Sequence, residues 1–66
     1  MEIGSNIAKL RKGKGWTQAK LAEVTSLSRG YIAAIEEGRR DPSLKTLAII
    51  ARALGVEIND LRGACE

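Results

Sequence analysis

The residue with the clearest chemical potential is Arg29, which directly follows Ser28, a residue type typical of helix N-caps. A guanidinium at the exposed start of a helix can donate two hydrogen bonds to O6 and N7 of guanine, and this contact discriminates between bases by roughly 1–3 kcal/mol. Ala33 and Ala34 offer methyl groups to thymine, and Gly30 lets the backbone come close to a groove or a phosphate. Arg29, Gly30, Ala33 and Ala34 are therefore the predicted base-reading residues. The alternative for Gly30 is a glycine without a role, tolerated near a helix start.

Two short helices must position these residues. Their start signals, Thr17 and Ser28, stand eleven positions apart, and each opens a segment of barely two turns. Helices this short need tertiary packing to persist, and two of them joined by a tight link make a helix-turn-helix. Two pairs of apolar residues have hydrophobic-staple spacing around these caps, Trp16 with Leu21 and Leu27 with Ile32. We therefore predict a helix-turn-helix at about residues 17–36.

The whole chain has helical apolar spacing, and no stretch alternates with a period of two for long enough to suggest a strand. Besides the two short helices, the pattern predicts one at about 3–14, one that follows Pro42 and ends at Gly55, and one at about 57–61. The fold class is all-α with five helices. The expected core is Ile7, Leu10, Trp16, Leu21, Ala22, Leu27, Ile32, Ile35, Leu44, Leu47, Ile50, Ala51, Leu54, Ile58 and Leu61.

Composition limits the possible function classes. Sixty-six residues predict a single domain over 1–66, and one cysteine, Cys65, with no histidine predicts neither a disulfide nor a closed zinc site. Without a histidine or a glycine-rich phosphate loop, we expect no enzyme, no metal, no cofactor and no small-molecule ligand. The absence of a long apolar run predicts no membrane association and a cytoplasmic protein.

Positive charge is concentrated in the first half of the chain. The net charge is +3 and the isoelectric point is about 9.4. Between Lys9 and Arg29 there are six cations and one anion, Glu23. Such a distribution predicts an electropositive face whose natural partner is a polyanion. The alternative is a basic surface that only keeps the protein soluble.

Three stretches together resemble a known family: Trp16–Ala22, Leu27–Ile32 and Ile35–Pro42, continued by the match over 47–61. They closely resemble the Cro and lambdoid phage-repressor type of helix-turn-helix protein. The resemblance implies a compact five-helix, lambda-repressor-like DNA-binding domain whose third helix lies in the major groove while the second crosses the backbone. It also implies a small stand-alone transcriptional regulator or a controller of the kind that accompanies restriction-modification systems.

The resemblance assigns roles to further positions. It implies a phosphate contact at Gln18, where the start of the second helix favours an anion, and an ion pair between Arg11 and Glu36. Three features depart from the family pattern, and the first is that Gly30, Ala33 and Ala34 occupy positions that often bear longer polar side chains. Ser26 stands where glycine is usual in the turn, so it either adopts a left-handed conformation or the turn differs. Glu57 replaces the usual cap of the fifth helix, which predicts that this helix frays.

The predicted contacts to the DNA backbone come from hydroxyl groups, amides and cations around the two short helices. For Tyr31, a phosphate contact through its hydroxyl and packing of its ring on the second helix are both open. The predicted set is Thr17, Gln18, Ser28, Tyr31, Arg39, Arg40, Ser43 and Lys45.

Few base-reading residues imply weak reading of one half-site, so we expect a homodimer on a palindromic operator with recognition helices about 34 Å apart. The candidate interface lies at about 56–64 and comprises Ile58, Leu61 and Ala64. The alternative is that these residues only seal the monomer core. The predicted function is sequence-specific binding of double-stranded DNA by a transcriptional regulator. The alternative function is a protein-interaction module, such as an antitoxin-like partner, that uses the same fold.

Overall fold

A computed structural model describes residues 3–63 of the chain. Over that range the secondary structure is entirely helical, with five helices and no β-strand: α1 Ile3–Gly13, α2 Gln18–Thr25, α3 Arg29–Glu36, α4 Leu44–Leu54 and α5 Ile58–Arg62. The predicted all-α class and the order of the helices are confirmed, and their ends agree to within about two residues. None of the helices in the described range is long and apolar enough to cross a membrane.

Three helices begin at a hydroxyl residue with extended backbone. Thr17, Ser28 and Ser43 each accept a hydrogen bond from the backbone N–H three positions later, at 3.0 to 3.1 Å. This satisfies one of the N–H groups that the first turn of a helix leaves without a partner. The two caps predicted for the helix-turn-helix are therefore present, and Pro42 lies just before the third.

The turn between α2 and α3 uses a left-handed serine. Ser26 has φ 61° and ψ 26°, and its N–H donates to the carbonyl of Glu23. Since the family pattern has glycine here, the structure selects the first of the two expected alternatives. A left-handed conformation at a residue other than glycine costs about 1–3 kcal/mol. The N–H of Leu27 donates to the carbonyl of Ala22 and closes the turn at 3.1 Å.

The last helix, α5, is held at both of its ends. The carboxylate of Asp60 accepts the backbone N–H of Glu57 at 3.0 Å, so the start of α5 is capped from inside its first turn. At the other end, Nδ2 of Asn6 donates to the carbonyl of Leu61 at 2.9 Å. The expectation that α5 frays because it lacks a cap is therefore wrong, since the carboxylate of Asp60 caps its start.

The core forms where all five helices meet. Its fully buried members include Ile7, Leu21, Ile32, Ile50 and Leu61, all of which were expected there. Leu44 was also expected in the core, but this prediction is wrong, since 63% of the residue is exposed. It is the first residue of α4, and apolar spacing assigns it to the correct stripe without showing where the packed part of the helix begins.

Gly4 brings α1 into backbone contact with the end of α3. Gly4, Ile7 and Arg11 are the buried residues of α1, and they lie along one face of the helix. A Cβ atom at position 4 would lie 2.3 Å from the carbonyl oxygen of Ile35 and 2.8 Å from that of Glu36. Only glycine permits this approach, because the obstructing atoms belong to backbone that cannot move aside.

We expect Gly4→Ala to lower the free energy of unfolding by about 1–3 kcal/mol, because the added methyl group forces α1 away from α3. The matched control is Gly13→Ala in the same helix. A Cβ at Gly13 meets no atom within 4 Å, so this change should be neutral or stabilising by about 0.5 kcal/mol. Urea unfolding monitored by circular dichroism measures both. Equal stabilities of the two variants would contradict the close approach.

Candidate nucleic-acid interface

Helix α3 has one buried face and one outward face. Its buried residues are Ile32, Ala34 and Ile35, which pack toward the core. On the other side, Arg29 and Gly30 are exposed and Ala33 is half-buried. This division leaves the first turn of α3 as the part of the helix that projects from the domain.

Arg29 lies on the surface with its charge uncompensated. It is exposed, and no ion pair involves it within residues 3–63, where the two pairs present are Arg11–Glu36 and Arg39–Glu37. Beside it, a Cβ atom at Gly30 would meet no protein atom within 4 Å. The fold therefore has no need of glycine at position 30, and a ligand can approach the bare backbone there.

Ala34 does not belong to this outward surface. Only 6% of it is exposed, and it lies on the core side of α3 between Ile32 and Ile35. Its methyl group cannot reach a thymine, so the expectation that it reads a base is wrong. Its carbonyl also accepts the N–H of Arg39 at 2.9 Å, which helps to end the helix. The outward surface is thus Arg29, Gly30 and part of Ala33.

A buried ion pair joins α1 to the end of α3. Nε of Arg11 donates to one carboxylate oxygen of Glu36 at 2.8 Å, and Nη2 donates to the other at 3.0 Å. The side chains are 9% and 6% exposed. Nη1 of Arg11 also donates to the carbonyl of Trp16 at 2.7 Å, which ties down the residue before the α2 cap. The pair implied by the family resemblance is present, and its two parallel hydrogen bonds are the strongest arrangement for these groups.

Glu36 is held ionised by its neighbours. Burial alone would raise its pKa, but hydrogen bonds from Arg11 and Gln18, with the charges of Arg11 and Lys12, outweigh this and place the pKa below its usual value. The hydrogen bond to Glu36 likewise raises the pKa of Arg11, against the opposing effect of burial. The pair therefore stays charged throughout the neutral range.

The side chain of Gln18 has a different partner from the one expected. Its Nε2 donates to Oε1 of Glu36 at 3.0 Å, so the amide completes the ion-pair network instead of standing free for a phosphate. The backbone N–H groups at this end of α2 are less fully paired. Thr17 caps the N–H of Lys20. The N–H groups of Gln18 and Ala19 have no acceptor within the helix, because they precede its first backbone hydrogen bond.

The cations after α3 differ in their surroundings. Arg39 forms a surface ion pair with Glu37 at 2.9 Å, and both side chains are more than half exposed. Such a pair contributes at most about 1 kcal/mol and opens readily. The guanidinium of Arg40 lies 5.3 Å from the ring centroid of the half-buried Tyr31, which also packs against the core. The ring of Tyr31 thus supports Arg40, whereas Lys45 is exposed.

The helix-turn-helix family model matches residues 7–61. The chain belongs to this family. It is 44% identical over 63 residues to the immunity repressor protein of Bacillus phage phi105, covering 96% of this chain and 44% of the repressor. The chain thus spans less than half the length of that relative.

Two solved structures of family members have nearly the same fold. The restriction-modification controller protein C.AhdI from Aeromonas hydrophila has a TM-score of 0.88 at 35% identity, with 91% of each chain covered. SinR, a master regulator for biofilm formation solved in complex with DNA, has a TM-score of 0.87 at 31% identity, covering 91% of this chain and 97% of SinR. These likenesses confirm the lambda-repressor-like fold that the family resemblance implied.

The structure leaves fewer residues available for a dimer interface than the sequence predicts. Leu61 is fully buried in the monomer, so the expectation that it faces a partner is wrong and the alternative of sealing the core applies. Ile58 is half-buried at the edge of the core and keeps part of its side chain outward. Ala64 lies outside the described residues. Of the two predicted interface residues that the structure describes, Ile58 is the one with surface left to bury.

Two hydrogen bonds of the ion-pair network could not be predicted from the sequence. The carbonyl of Trp16, which accepts from Arg11, is a backbone atom that every residue possesses. The bond from Gln18 to Glu36 joins residues eighteen positions apart, so only the packing of α2 on α3 brings them together. The apolar pattern predicted the helices, but side-chain partners across them follow from the tertiary arrangement.

We expect Glu36→Gln to lower the free energy of unfolding by about 3 kcal/mol at neutral pH, because it leaves Arg11 buried without a counter-charge. The folded-state pKa of Glu36 is depressed, so its contribution is present above the carboxyl's ordinary pKa and is lost as the pH falls through the folded-state value. Wild-type stability should therefore fall more steeply in acid than that of the variant. Urea unfolding from about pH 7 to about pH 3 measures this.

The control for this comparison is Glu23→Gln, which removes an exposed carboxylate of α2. Its acid dependence should follow that of the wild type. Parallel stability curves for the wild type and Glu36→Gln would show that the pair does not hold the fold together.

Proposed function

We propose that the protein is a sequence-specific transcriptional regulator that binds double-stranded DNA with α3 in the major groove. The observation that carries this proposal is the exposed, uncompensated guanidinium of Arg29 beside the bare backbone of Gly30. An arginine fork so placed matches O6 and N7 of guanine. The DNA complex of SinR supports the proposal, because that chain shares the fold over 91% of this one.

The second helix is proposed to meet the DNA backbone with its start. The N–H groups of Gln18 and Ala19 and the positive end of the helix dipole favour a phosphate there. Thr17 and Ser28 accept their cap hydrogen bonds through oxygen, which leaves each hydroxyl proton able to donate to a phosphate. The side chain of Ser43 instead donates to Thr46, so its proton is already used.

The loop after α3 and the start of α4 are proposed as a second backbone contact. Arg40, supported on Tyr31, can extend to a phosphate with less loss of side-chain freedom than an unsupported arginine. Arg39 would exchange Glu37 for a phosphate, and Lys45 would add charge at the start of α4. These contacts raise affinity for any sequence.

Few residues are available to contact bases, so we propose that specificity also depends on two-fold repetition of the half-site and on DNA shape. A homodimer on a palindromic operator would present two copies of Arg29, with Ile58 at or near the subunit contact. The similarity to the controller protein C.AhdI and to a phage immunity repressor supports a stand-alone repressor or a controller. Acting on DNA, such a regulator would work in the cytoplasm and would need neither catalysis nor a cofactor.

One observation favours a second function, that of a protein-interaction module such as an antitoxin-like partner. Burial of Ala34 leaves Arg29 with only Gly30 and part of Ala33 on the reading surface. A surface with so few readers discriminates poorly between sequences. Binding that is weak, lost in salt and indifferent to sequence would favour this alternative.

Selection from a random pool of duplex oligonucleotides tests the proposed function. The wild type should enrich a motif with two inverted half-sites about 34 Å apart. Arg29→Ala should relax the preference by removing a base contact. Arg40→Ala should weaken binding to all sequences alike. It should also reduce the slope of log K against log salt by about 0.9, because it removes a phosphate contact. If both variants behave alike, the division between readers and backbone contacts is wrong.

Position 30 provides a test of close approach to DNA. Gly30→Ala should stabilise the free protein by about 0.5–1 kcal/mol, because the helix gains propensity and the methyl group meets no protein atom. The same methyl group should weaken operator binding about fivefold or more if the backbone lies against DNA. Thermal unfolding and fluorescence anisotropy measure the two effects. Gly13→Ala serves as the control, and unchanged affinity at position 30 would mean that this glycine has no role in binding.

A further inference from the structure

Trp16 lies beneath two lysine side chains that the assigned contacts leave unused. The ammonium of Lys14 is 5.1 Å from the centroid of the indole ring, and that of Lys20 is 5.9 Å from it. Lys14 follows the end of α1, whereas Lys20 is in the first turn of α2. Two cations that lie on either side of Trp16 in the chain thus converge on its ring at the start of the helix-turn-helix.

The ring is a fixed support for these lysines. Trp16 is half-buried and packs against the core, and its carbonyl accepts the 2.7 Å hydrogen bond from Arg11. Gly15 precedes it with φ 76°, so the chain turns sharply between Lys14 and the indole. The backbone that carries the ring is therefore held by the same buried arginine that binds Glu36.

The charges of the two lysines remain available to a ligand. Both side chains are exposed, and neither forms an ion pair within the described range 3–63. An ammonium over an aromatic face gains about 0.5–1 kcal/mol at an exposed site, yet its N–H donors that point away from the ring stay free. Because the side chains are already held, binding an anion costs them less conformational freedom.

We infer that Lys14 and Lys20, ordered on Trp16, form an additional contact to the phosphates of double-stranded DNA. This inference rests on the proposed function and adds residues to it. The start of α2 lies beside the cluster, where the unbonded N–H groups of Gln18 and Ala19 add positive potential. Phosphate is the partner that fits, because the cluster offers two point charges and no acceptor that would read a base. Its contribution is independent of sequence.

The test is the salt dependence of binding to a non-specific duplex, measured by fluorescence anisotropy for Lys14→Gln, Lys20→Gln and the double variant. Each lost phosphate contact should reduce the slope of log K against log salt by about 0.9, and the double variant by about 1.8. The loss of affinity in the double variant should then be about tenfold larger at 50 mM salt than at 200 mM. The ratio of operator to non-specific affinity should stay at the wild-type value.

The matched control is Lys9→Gln, the same charge change in α1. Lys9 lines a cleft of about 300 Å³ between α1 and α5 with Asn6 and Asp60, and no residue of the Trp16 cluster lines this cleft. Its slope should equal that of the wild type. Equal slopes for Lys9→Gln and Lys14→Gln, or a double variant with the wild-type slope, would overturn the inference.

A change at Trp16 separates the ring from the lysines. Trp16→Leu keeps an apolar side chain before the α2 cap and removes the aromatic face, so affinity should fall about twofold to fivefold while both charges remain. Circular dichroism confirms that the variant is folded. In the wild type, Trp16 is the sole tryptophan, and its emission should change when phosphates bind the two ammonium groups that lie over its ring. Unchanged emission at saturating DNA would count against the inference.

The two proposals fail in different ways. If the wild type selects no sequence but the lysine variants still reduce the salt slope on non-specific duplex, the sequence-specific function is wrong and the lysine contact stands. If selection succeeds and Arg29→Ala relaxes it while the lysine variants keep the wild-type slope, the lysine contact is wrong and the function stands. Absence of any binding to DNA would overturn both.

Discussion

The rest of the structure depends on the buried ion pair between Arg11 and Glu36. Its two hydrogen bonds join the end of α1 to the end of α3, and the remaining donor of Arg11 holds the carbonyl of Trp16. Gln18 extends the network to the start of α2. A chain of this size has a total stability of about 3–10 kcal/mol, so the loss of one buried charge partner is a large fraction of it. The orientation of the outward helix therefore depends on a charge pair at the opposite end of that helix from Arg29.

Two helices of eight residues cannot present a surface unless others hold them in place. Both α2 and α3 have this length, which is marginal for a helix alone in water. Burial of Ile32, Ala34 and Ile35 decides which side of α3 remains outward, and little but Arg29 and bare backbone is left on it. Further cations lie on either side of that helix in the chain, Lys14 and Lys20 before it and Arg39 and Arg40 after it. Under the proposed function, binding energy and sequence discrimination would thus come from different parts of the surface.

Much of the fold could be predicted because the residues that start and end a helix act on their near neighbours in the chain. Thr17, Ser28 and Gly55 act through bonds to residues three or four positions away or through their own backbone preferences, so the sequence shows them directly. The Arg11–Glu36 pair was predictable only through the family resemblance. The errors involve relations between elements: Leu44 is at the unpacked start of α4, Leu61 faces inward, and Ala34 lies on the core side of α3. Periodicity defines a stripe on a helix, but the width and length of the covered part depend on its neighbours.

The sequence by itself determined five helices, the caps of the two short ones, the positive charge of the first half and the place of Arg29 at the start of a short helix. These properties depend on single residues and their near neighbours, which the chain order preserves. Only the tertiary structure decided that Gln18 serves Glu36, that Gly4 permits backbone contact with α3, and that two lysines meet on Trp16. Each of these relations depends on distances between separate elements, and those distances are set when the helices pack around a common core.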